Sequence, residues 1–589
     1  MTDFLQRRYV PQAIVALGVI LVLPSLWSGR LADDYIHDLK MRDAPGFRAT
    51  ERSPMDLFTF SSGDPRETKE LMEEGVFSWW TVPQFKLSFW RPLSCLTHWA
   101  DHVFLNGSAP CMHLHSVLWL GAFLVCLWIL YRRFFPQWIA CLCLLLFAVD
   151  DAHGLTVGFI ANRNALIAGV WGLLSLVTHD RAIRDVWRPG RVLSPVFLAM
   201  GLLGGEAAAA ILGYLVPYAF FVDERKSWRR MLQVTPHLCV LLVWLCVHRF
   251  LGYGVNASGV YIDPMGHPLL FLSHLATRLP ILLASQFAFP TADFWIFYPR
   301  WMAAMMLAIA LLLLSGLFWL LWPHLKEKRS YRFWAVGAVI SAIPFCATFP
   351  SDRLLLIPGI GAMALLGSFL ADSLFAKPST DPPGIRKRLS RAAGWSFVAI
   401  HLFLAPLTLP VRSLTVGFME HFFNRVVEAV PLDPDLNEKS LIVVTAPADG
   451  FVCYMPYQRQ ALGLPRPHCL RILSTGPSAG NAWRKDAFTL VVEREKGFLQ
   501  RPAEKMVRGP LHPMKAGDTV ELSDVEATIL RVTEDGRPSQ VEFRFRRSLD
   551  DPSFLWFYWK EGALAPFVPP PPGETTPLPA VHPFALLKR

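Results

Sequence analysis

The chain has 589 residues, 53% of them hydrophobic and only 18% charged, with 21 Trp, 42 Phe and a mean hydropathy of +0.33. That balance excludes a soluble globular enzyme and marks a polytopic α-helical membrane protein. A net charge of +10 does not signal a nucleic-acid partner here, because the basic residues gather in short loops between apolar runs.

Those loops set the orientation. Arg132-Arg133, then Arg181, Arg184, Arg188 and Arg191, then Arg225, Lys226, Arg229 and Arg230, then Lys326, Lys328 and Arg329, and finally Arg386-Lys387-Arg388 form a positive-inside series. In chain order, the first span, about 11–29, follows Arg7-Arg8, lacks a small-residue cleavage site and reads as a retained anchor. A long extracytoplasmic loop, 30–110, opens on Leu31-Ala-Asp-Asp-Tyr-Ile-His-Asp38 and closes on an amphipathic stretch from Arg91 to Leu105 suited to the membrane interface. Further spans are expected at about 112–131, 134–149, 155–178, 192–204, 207–222, 232–251, 301–323, 331–349, 354–376 and 393–412. The apolar stretch 268–290, interrupted by His274, Arg278 and Pro280, reads as interfacial or re-entrant, since a span there would break the charge alternation. Eleven spans put the amino end inside and the carboxyl end outside.

From about 413 the composition changes. Leu441-Ile-Val-Val-Thr445, Ala487–Val492, Asp518–Leu522 and Gln540–Arg546 read as strands between Gly, Pro and Asp turns. We expect a transmembrane domain at 1–412, a mostly β extracytoplasmic domain at 413–565 and a Pro-rich tether or tail at 566–589. Of the 10 cysteines, most lie in spans, but Cys95 with Cys111 and Cys453 with Cys469 fall outside the cytoplasm and are disulfide candidates.

Charged and imidazole side chains collect on the outer side: Asp33-Asp34, Arg91, His113 and His115, Asp150-Asp151, His153, Arg163, Glu206, Asp293 and Asp352-Arg353. His37, Asp38 and His98 belong to the same side with a weaker signal. Each alone is equally a solvated loop or capping residue. Arg163 stands apart, because Asn162-Arg-Asn164 interrupts an apolar run and an intramembrane cation needs a polar cavity or a partner.

Taken together these pieces resemble the GT-C class of integral-membrane glycosyltransferases, and within it the protein O-mannosyltransferases and the transmembrane-and-tetratricopeptide mannosyltransferases. The matching segments are Asp33-Asp34, Phe89-Trp-Arg-Pro-Leu-Ser-Cys-Leu-Thr97, Met112-His-Leu-His115, Leu145–His153 running into Ile160–Leu166, Glu206, and Ser351–Gly361. They cover roughly residues 10–412 in family order. Departures exist: Asp150-Asp151 where the family has His-Pro, Gly205 where a Lys commonly precedes the acid, and Leu356 where a Tyr follows the Arg. The tetratricopeptide array is replaced by the β-rich tail, so acceptor choice does not carry over.

The resemblance implies transfer of a sugar, mannose or similar, from a polyprenyl-phosphate carrier to the hydroxyl of a protein, lipid or glycan acceptor. It implies Asp34, or Asp33 one position earlier, as general base and Arg353 as the phosphate-holding cation. Arg163 would assist there or neutralise Asp150 or Asp151, while Glu206, His153, Asp151 and Arg91 would line the substrate pocket. Hard oxygen ligands from Asp33, Asp34 and Asp151 would suit Mg²⁺ or Mn²⁺, yet the reaction implied needs no metal and no cofactor is expected. The Arg- and Pro-rich style points to a bacterial inner membrane, with the site and carboxyl end on the periplasmic side. A non-enzymatic scaffold with an outer binding domain and a lipid-linked substrate transporter or flippase are the competing classes. No two-half symmetry supports the transporter.

Overall fold

The computed structural model describes residues 2–44, 46–48, 51–225, 227–288, 291–375 and 384–581. Among the described residues, eight helices are long and apolar enough to cross a membrane: Val10–Trp27, Ala109–Phe134, Ile160–Arg184, Trp228–Phe250, Pro268–Phe287, Arg300–Glu327, Arg329–Ala347 and Ile385–Glu428. Four shorter apolar helices, Gln137–Ala148, Gly190–Gly204, Glu206–Phe221 and Pro358–Leu374, are packed among them. The chain is a multi-pass membrane protein, and each segment that hydropathy marks as a span is helical.

Burial separates two kinds of helix. Pro358–Leu374 is buried on every face from Pro358 to Ala371, as expected of a central helix that is apolar all round. Arg300–Glu327 buries only Met306, Ala310 and Leu321, leaving a surface that hydrocarbon would cover. The centre is held by close backbone approach rather than by area alone, because lipid tails are as apolar as the side chains. At Gly213 a Cβ would come within 2.4 Å of the Ser341 amide nitrogen. Tyr214 beside it donates to the carbonyls of Ile357 (2.9 Å) and Pro358 (3.1 Å) and accepts from the Gly361 amide at 2.8 Å. That phenol fixes the start of the central helix, immediately after the turn that carries Arg353.

The helix Pro268–Phe287 runs unbroken through Pro280, and Arg278 is buried within it. Arg278 Nη1 donates to the carbonyls of Cys346 (3.0 Å) and Thr348 (2.9 Å), and Gln286 donates to Asp150 Oδ2 at 2.8 Å. Both anchors fall at the end of the bundle away from the Arg-rich loops, here termed the cavity end. The stretch expected to be interfacial or re-entrant is thus a helix long and apolar enough to cross, and its last carbonyl, at Phe287, lies 3.1 Å from His401 Nε2.

Beyond residue 412 the chain stays helical, through Thr415–Glu428, so the boundary expected at 413 is displaced toward the first strand at Ser440. Two sheets follow. One is antiparallel, in the spatial order Thr575–Leu578, Gly480–Arg484, Thr489–Arg494, Pro538–Phe545, Val525–Val532 and Thr519–Glu521. The other is mixed, in the order Ala563–Pro566, Phe554–Lys560, Ser440–Val443 and Cys469–Ile472, the last two parallel and joined by the helix Met455–Ala461. The segment expected to be a tether thus supplies an edge strand, Thr575–Leu578, where Pro577 is tolerated because an edge has a free side. Residues 582–589 of that tail lie outside the described residues.

The first outer loop is folded as well. Thr59–Ser62 and Gly254–Asn256 pair with the two sides of Lys86–Ser88 in a small antiparallel sheet. The loop is fastened to the C-terminal domain at Gly75, whose φ of +80° and 2.0 Å virtual Cβ distance to the Leu470 carbonyl leave no room for a side chain. Arg471 completes the join by donating to the carbonyls of Met72 and Glu73, both at 2.8 Å.

Candidate active site

A cavity of about 520 Å³ lies where the cavity end of the bundle, the first outer loop and the C-terminal domain meet. Its walls are mainly aromatic and aliphatic, with few polar groups converging, which is the usual make-up of a small-molecule site. Phe58, Phe60 and Phe89 come from the loop, Phe345 and Phe349 from the bundle, and Met506 and Val507 from the C-terminal domain. The charged side chains on its surface are Asp33, Arg91, Glu206, Arg353 and Asp449.

The two adjacent carboxylates divide their labour. Both begin the helix Asp33–Met41, directly after Ala32, whose φ of +47° is a strained conformation for a residue with a Cβ. Asp34 turns away from the cavity. Its Oδ2 accepts from the Leu31 amide at 3.0 Å and its Oδ1 from the Ala161 amide at 2.8 Å, so it clamps the loop to the start of the helix bearing Arg163. Burial raises this carboxyl to about 7, against the pull of those amides. Asp33 faces the cavity, with Oδ1 accepting from the Tyr454 hydroxyl at 2.7 Å. Burial raises Asp33 above the ordinary aspartate value, opposed by the Tyr454 bond and the charges of Arg353, Arg91 and Lys40. Of the two carboxylates expected as candidates for the base, Asp33 lines the cavity, whereas both Asp34 oxygens are engaged by backbone.

Arg353 stands in the turn Asp352–Leu354 and lines the same cavity. Its guanidinium lies 5.5 Å from the Phe349 ring, and among the described residues no carboxylate pairs with it. The turn is buttressed instead. Asp352 accepts from Thr291 Oγ1 (2.6 Å), the Ala292 amide (2.8 Å) and Arg412 (2.9 Å), while Asp293 accepts from Ser351 Oγ (2.6 Å) and the Asp352 amide (2.8 Å). Arg412 also binds Asp293 and, at 2.9 Å, Asp151. Ser351→Ala, which removes one donor from this buttress, is expected to cost about 0.5–1.5 kcal/mol, measured by thermal unfolding; an unchanged midpoint would show the buttress slack.

Arg91 and Glu206 meet side by side on the cavity wall. Arg91 Nε donates to Glu206 Oε2 at 2.9 Å, Nη2 binds Oε1, and the guanidinium packs on Phe58 (4.7 Å) and Phe89 (4.5 Å). Three other expected site residues are elsewhere. Arg163 is fully buried and pairs with Asp101, while donating to the Met112 carbonyl (2.7 Å) and Ser116 (3.1 Å); neither Asp150 nor Asp151 is its partner. His153 is buried against Phe147 with Nε2 2.9 Å from the Phe147 carbonyl. Asp151 belongs to the Arg412 cluster. Asp33, Asp34 and Asp151 therefore form no shared oxygen cage, and no group of three potential metal ligands converges among the described residues. All ten cysteines are free, which removes the pairs Cys95–Cys111 and Cys453–Cys469. Cys469 instead sits 3.2 Å from Ser440 Oγ on the adjoining strand.

Sequence reasoning missed Tyr454, Asp449 and Arg412. Asp449 is buried on the cavity roof, accepts from the Gly450 amide at 2.9 Å, and is raised by burial to about 6. Arg412 was visible as a lone charge closing the last span. The other two carry no local signal.

The class defined by this architecture is a multi-pass helical membrane protein whose β-rich domain roofs a cavity at one end of the bundle. No family model matches the chain and no curated protein matches it. Among solved structures it is similar to the Archaeoglobus fulgidus oligosaccharyltransferase tethered to an acceptor peptide with the NVT sequon, at 10% identity and a TM-score of 0.38, over 80% of this chain and 64% of that one. It is also similar to ArnT from Cupriavidus metallidurans in the apo state, at 13% identity and a TM-score of 0.33, over 77% of this chain and 84% of that one. The chain spans less than two-thirds of the oligosaccharyltransferase, 64% of its length.

Proposed function

We propose that the protein transfers a sugar, mannose or similar, from a polyprenyl-phosphate carrier to an acceptor hydroxyl on the outer face of a bacterial inner membrane. The observation that carries this is the pairing of opposites in one apolar cavity: the Asp33 carboxylate and the unpaired Arg353 guanidinium face the same space. Buried donors support it. Asn162 Nδ2, Thr348 Oγ1 and the Tyr457 hydroxyl all belong to residues lining this cavity and have no hydrogen-bond partner among the described residues, and such groups are rarely left unsatisfied without a ligand or water.

The chemistry follows from these groups. Asp33 takes the proton of the acceptor hydroxyl as its oxygen attacks the anomeric carbon. The bond from that carbon to the phosphate oxygen breaks on the opposite face, which inverts the centre. The phosphate leaves with the electron pair, and Arg353 offsets its charge through paired N–H donors. Arg91 and Glu206 hold the sugar from the wall. The apolar walls suit the first isoprene units and exclude water, which would otherwise compete as acceptor.

Arg353→Ala is expected to weaken donor binding by about 1.5–3 kcal/mol, the usual worth of hydrogen bonds to a charged group, or roughly 10- to 150-fold in Kd. Binding of radiolabelled polyprenyl-phosphate mannose to the protein in lipid measures this. Equal affinity in wild type and variant would remove Arg353 from the phosphate site.

A further inference from the structure

The C-terminal domain does more than roof the cavity. The connection from the strand Ser440–Val443 to the helix Met455–Ala461 brings Asp449, Cys453 and Tyr454 to the cavity surface. This strand is parallel to Cys469–Ile472 and the helix is their crossover. Carboxyl ends of parallel strands are where α/β units present functional side chains. Here they present one to a carboxylate 421 residues earlier in the chain, through the 2.7 Å bond from the Tyr454 hydroxyl to Asp33 Oδ1.

The approach is built, not incidental. The crossover helix packs on the helix Asp33–Met41, with Gln458 Nε2 donating to the Tyr35 hydroxyl at 3.3 Å and the Tyr457 ring 4.5 Å from Phe47. Tyr454 itself is wedged against Phe423 of the helix Thr415–Glu428, with ring centroids 6.4 Å apart. The hydroxyl engages Oδ1 alone, which leaves Oδ2 open to a substrate proton, in contrast to Asp34, whose two oxygens are both taken by amides.

We propose that Tyr454 is a positioning residue for Asp33: its hydroxyl fixes the carboxylate rotamer and favours the charged form, making the C-terminal domain an integral part of the site. The inference deepens the transferase reading and rests on it for the role of Asp33. The groups acting on Asp33 are Tyr454 and Cys453 from the C-terminal domain, Arg353 from the turn, Arg91 at the start of the helix Pro92–Leu105, and Lys40 and Asp34 on its own helix. Asp449 bears on the same corner through its neighbour Cys453. A hydroxyl donating to a carboxylate stabilises the ionised form, so removing it must raise the pH at which Asp33 ionises.

The test is an infrared pH titration of the full chain in lipid, comparing wild type, Asp33→Asn, Tyr454→Phe and the double variant. The protonated-carboxyl band absent in Asp33→Asn identifies Asp33, and in Tyr454→Phe it should persist to a pH higher by about one unit. The acid limb of transfer should move by the same amount, with kcat lowered and the donor KM kept. In the Asp33→Asn background the second substitution should change neither the remaining carboxyl bands nor donor binding. An unshifted Asp33 band in a folded Tyr454→Phe protein, or no band lost in Asp33→Asn, would overturn the proposal. A shifted band in a protein that turns over no polyprenyl-phosphate sugar would keep the Tyr454–Asp33 coupling and remove the transferase reading instead.

Discussion

Asp33→Asn is expected to slow sugar transfer by about 10²- to 10⁴-fold, the span that a positioned general base contributes, with donor affinity kept. The amide oxygen still accepts from Tyr454, so the geometry survives while the capacity to take a proton does not. Asp34→Asn should behave differently. Its carboxylate accepts from two backbone amides, and an amide group must turn its NH₂ toward one of them. That leaves a buried N–H unsatisfied, at about 1–3 kcal/mol. Initial rates with thermal unfolding on both variants separate the roles. Loss of transfer in Asp34→Asn at unchanged stability, with Asp33→Asn active, would reverse the assignment.

Arg163→Met should destabilise the protein by about 3–5 kcal/mol, because it takes the guanidinium from buried Asp101 and leaves it only His115, 2.8 Å away. Arg163 is fully buried, and it ties the start of its helix to the Met112 carbonyl and Ser116 as well as to Asp101. Adding Asp101→Leu to Arg163→Met should recover part of the loss, since removing both partners of a buried pair is far cheaper than removing one. Unfolding in detergent reads both. A phosphate-binding role predicts the opposite pattern, weaker donor binding at unchanged stability.

Arg163 also shows what a sequence can and cannot disclose. An arginine inside an apolar run demands a partner on energetic grounds, and that much is legible. Which partner depends on a contact 62 residues distant, in a loop whose own pattern says only that it is amphipathic. Asp33 and Asp34 give the same lesson at closer range. The pair could be singled out by its place at a membrane surface, but adjacent residues on a helix point in different directions, and nothing local says which meets the cavity. Arg353 was singled out only through the family resemblance of the segment Ser351–Gly361. Its buttress was not, because Thr291, Asp293, Asp352 and Arg412 come from three separate segments.

Hydropathy located the helices well, since each must bury its own backbone polar groups. The C-terminal domain was harder. Strands such as Val525–Val532 alternate buried and exposed residues only in part, and Tyr454 meets its partner across the whole length of the membrane domain. The cysteine pairs failed for a related reason, because segments on one side of a membrane need not be neighbours.

The most direct measurement incubates the purified protein in lipid with radiolabelled polyprenyl-phosphate mannose and follows bound and released sugar for wild type and Asp33→Asn. Donor should bind to both and be turned over by wild type alone. No donor binding by wild type, or equal turnover in the two proteins, would contradict a sugar transferase with Asp33 as its base.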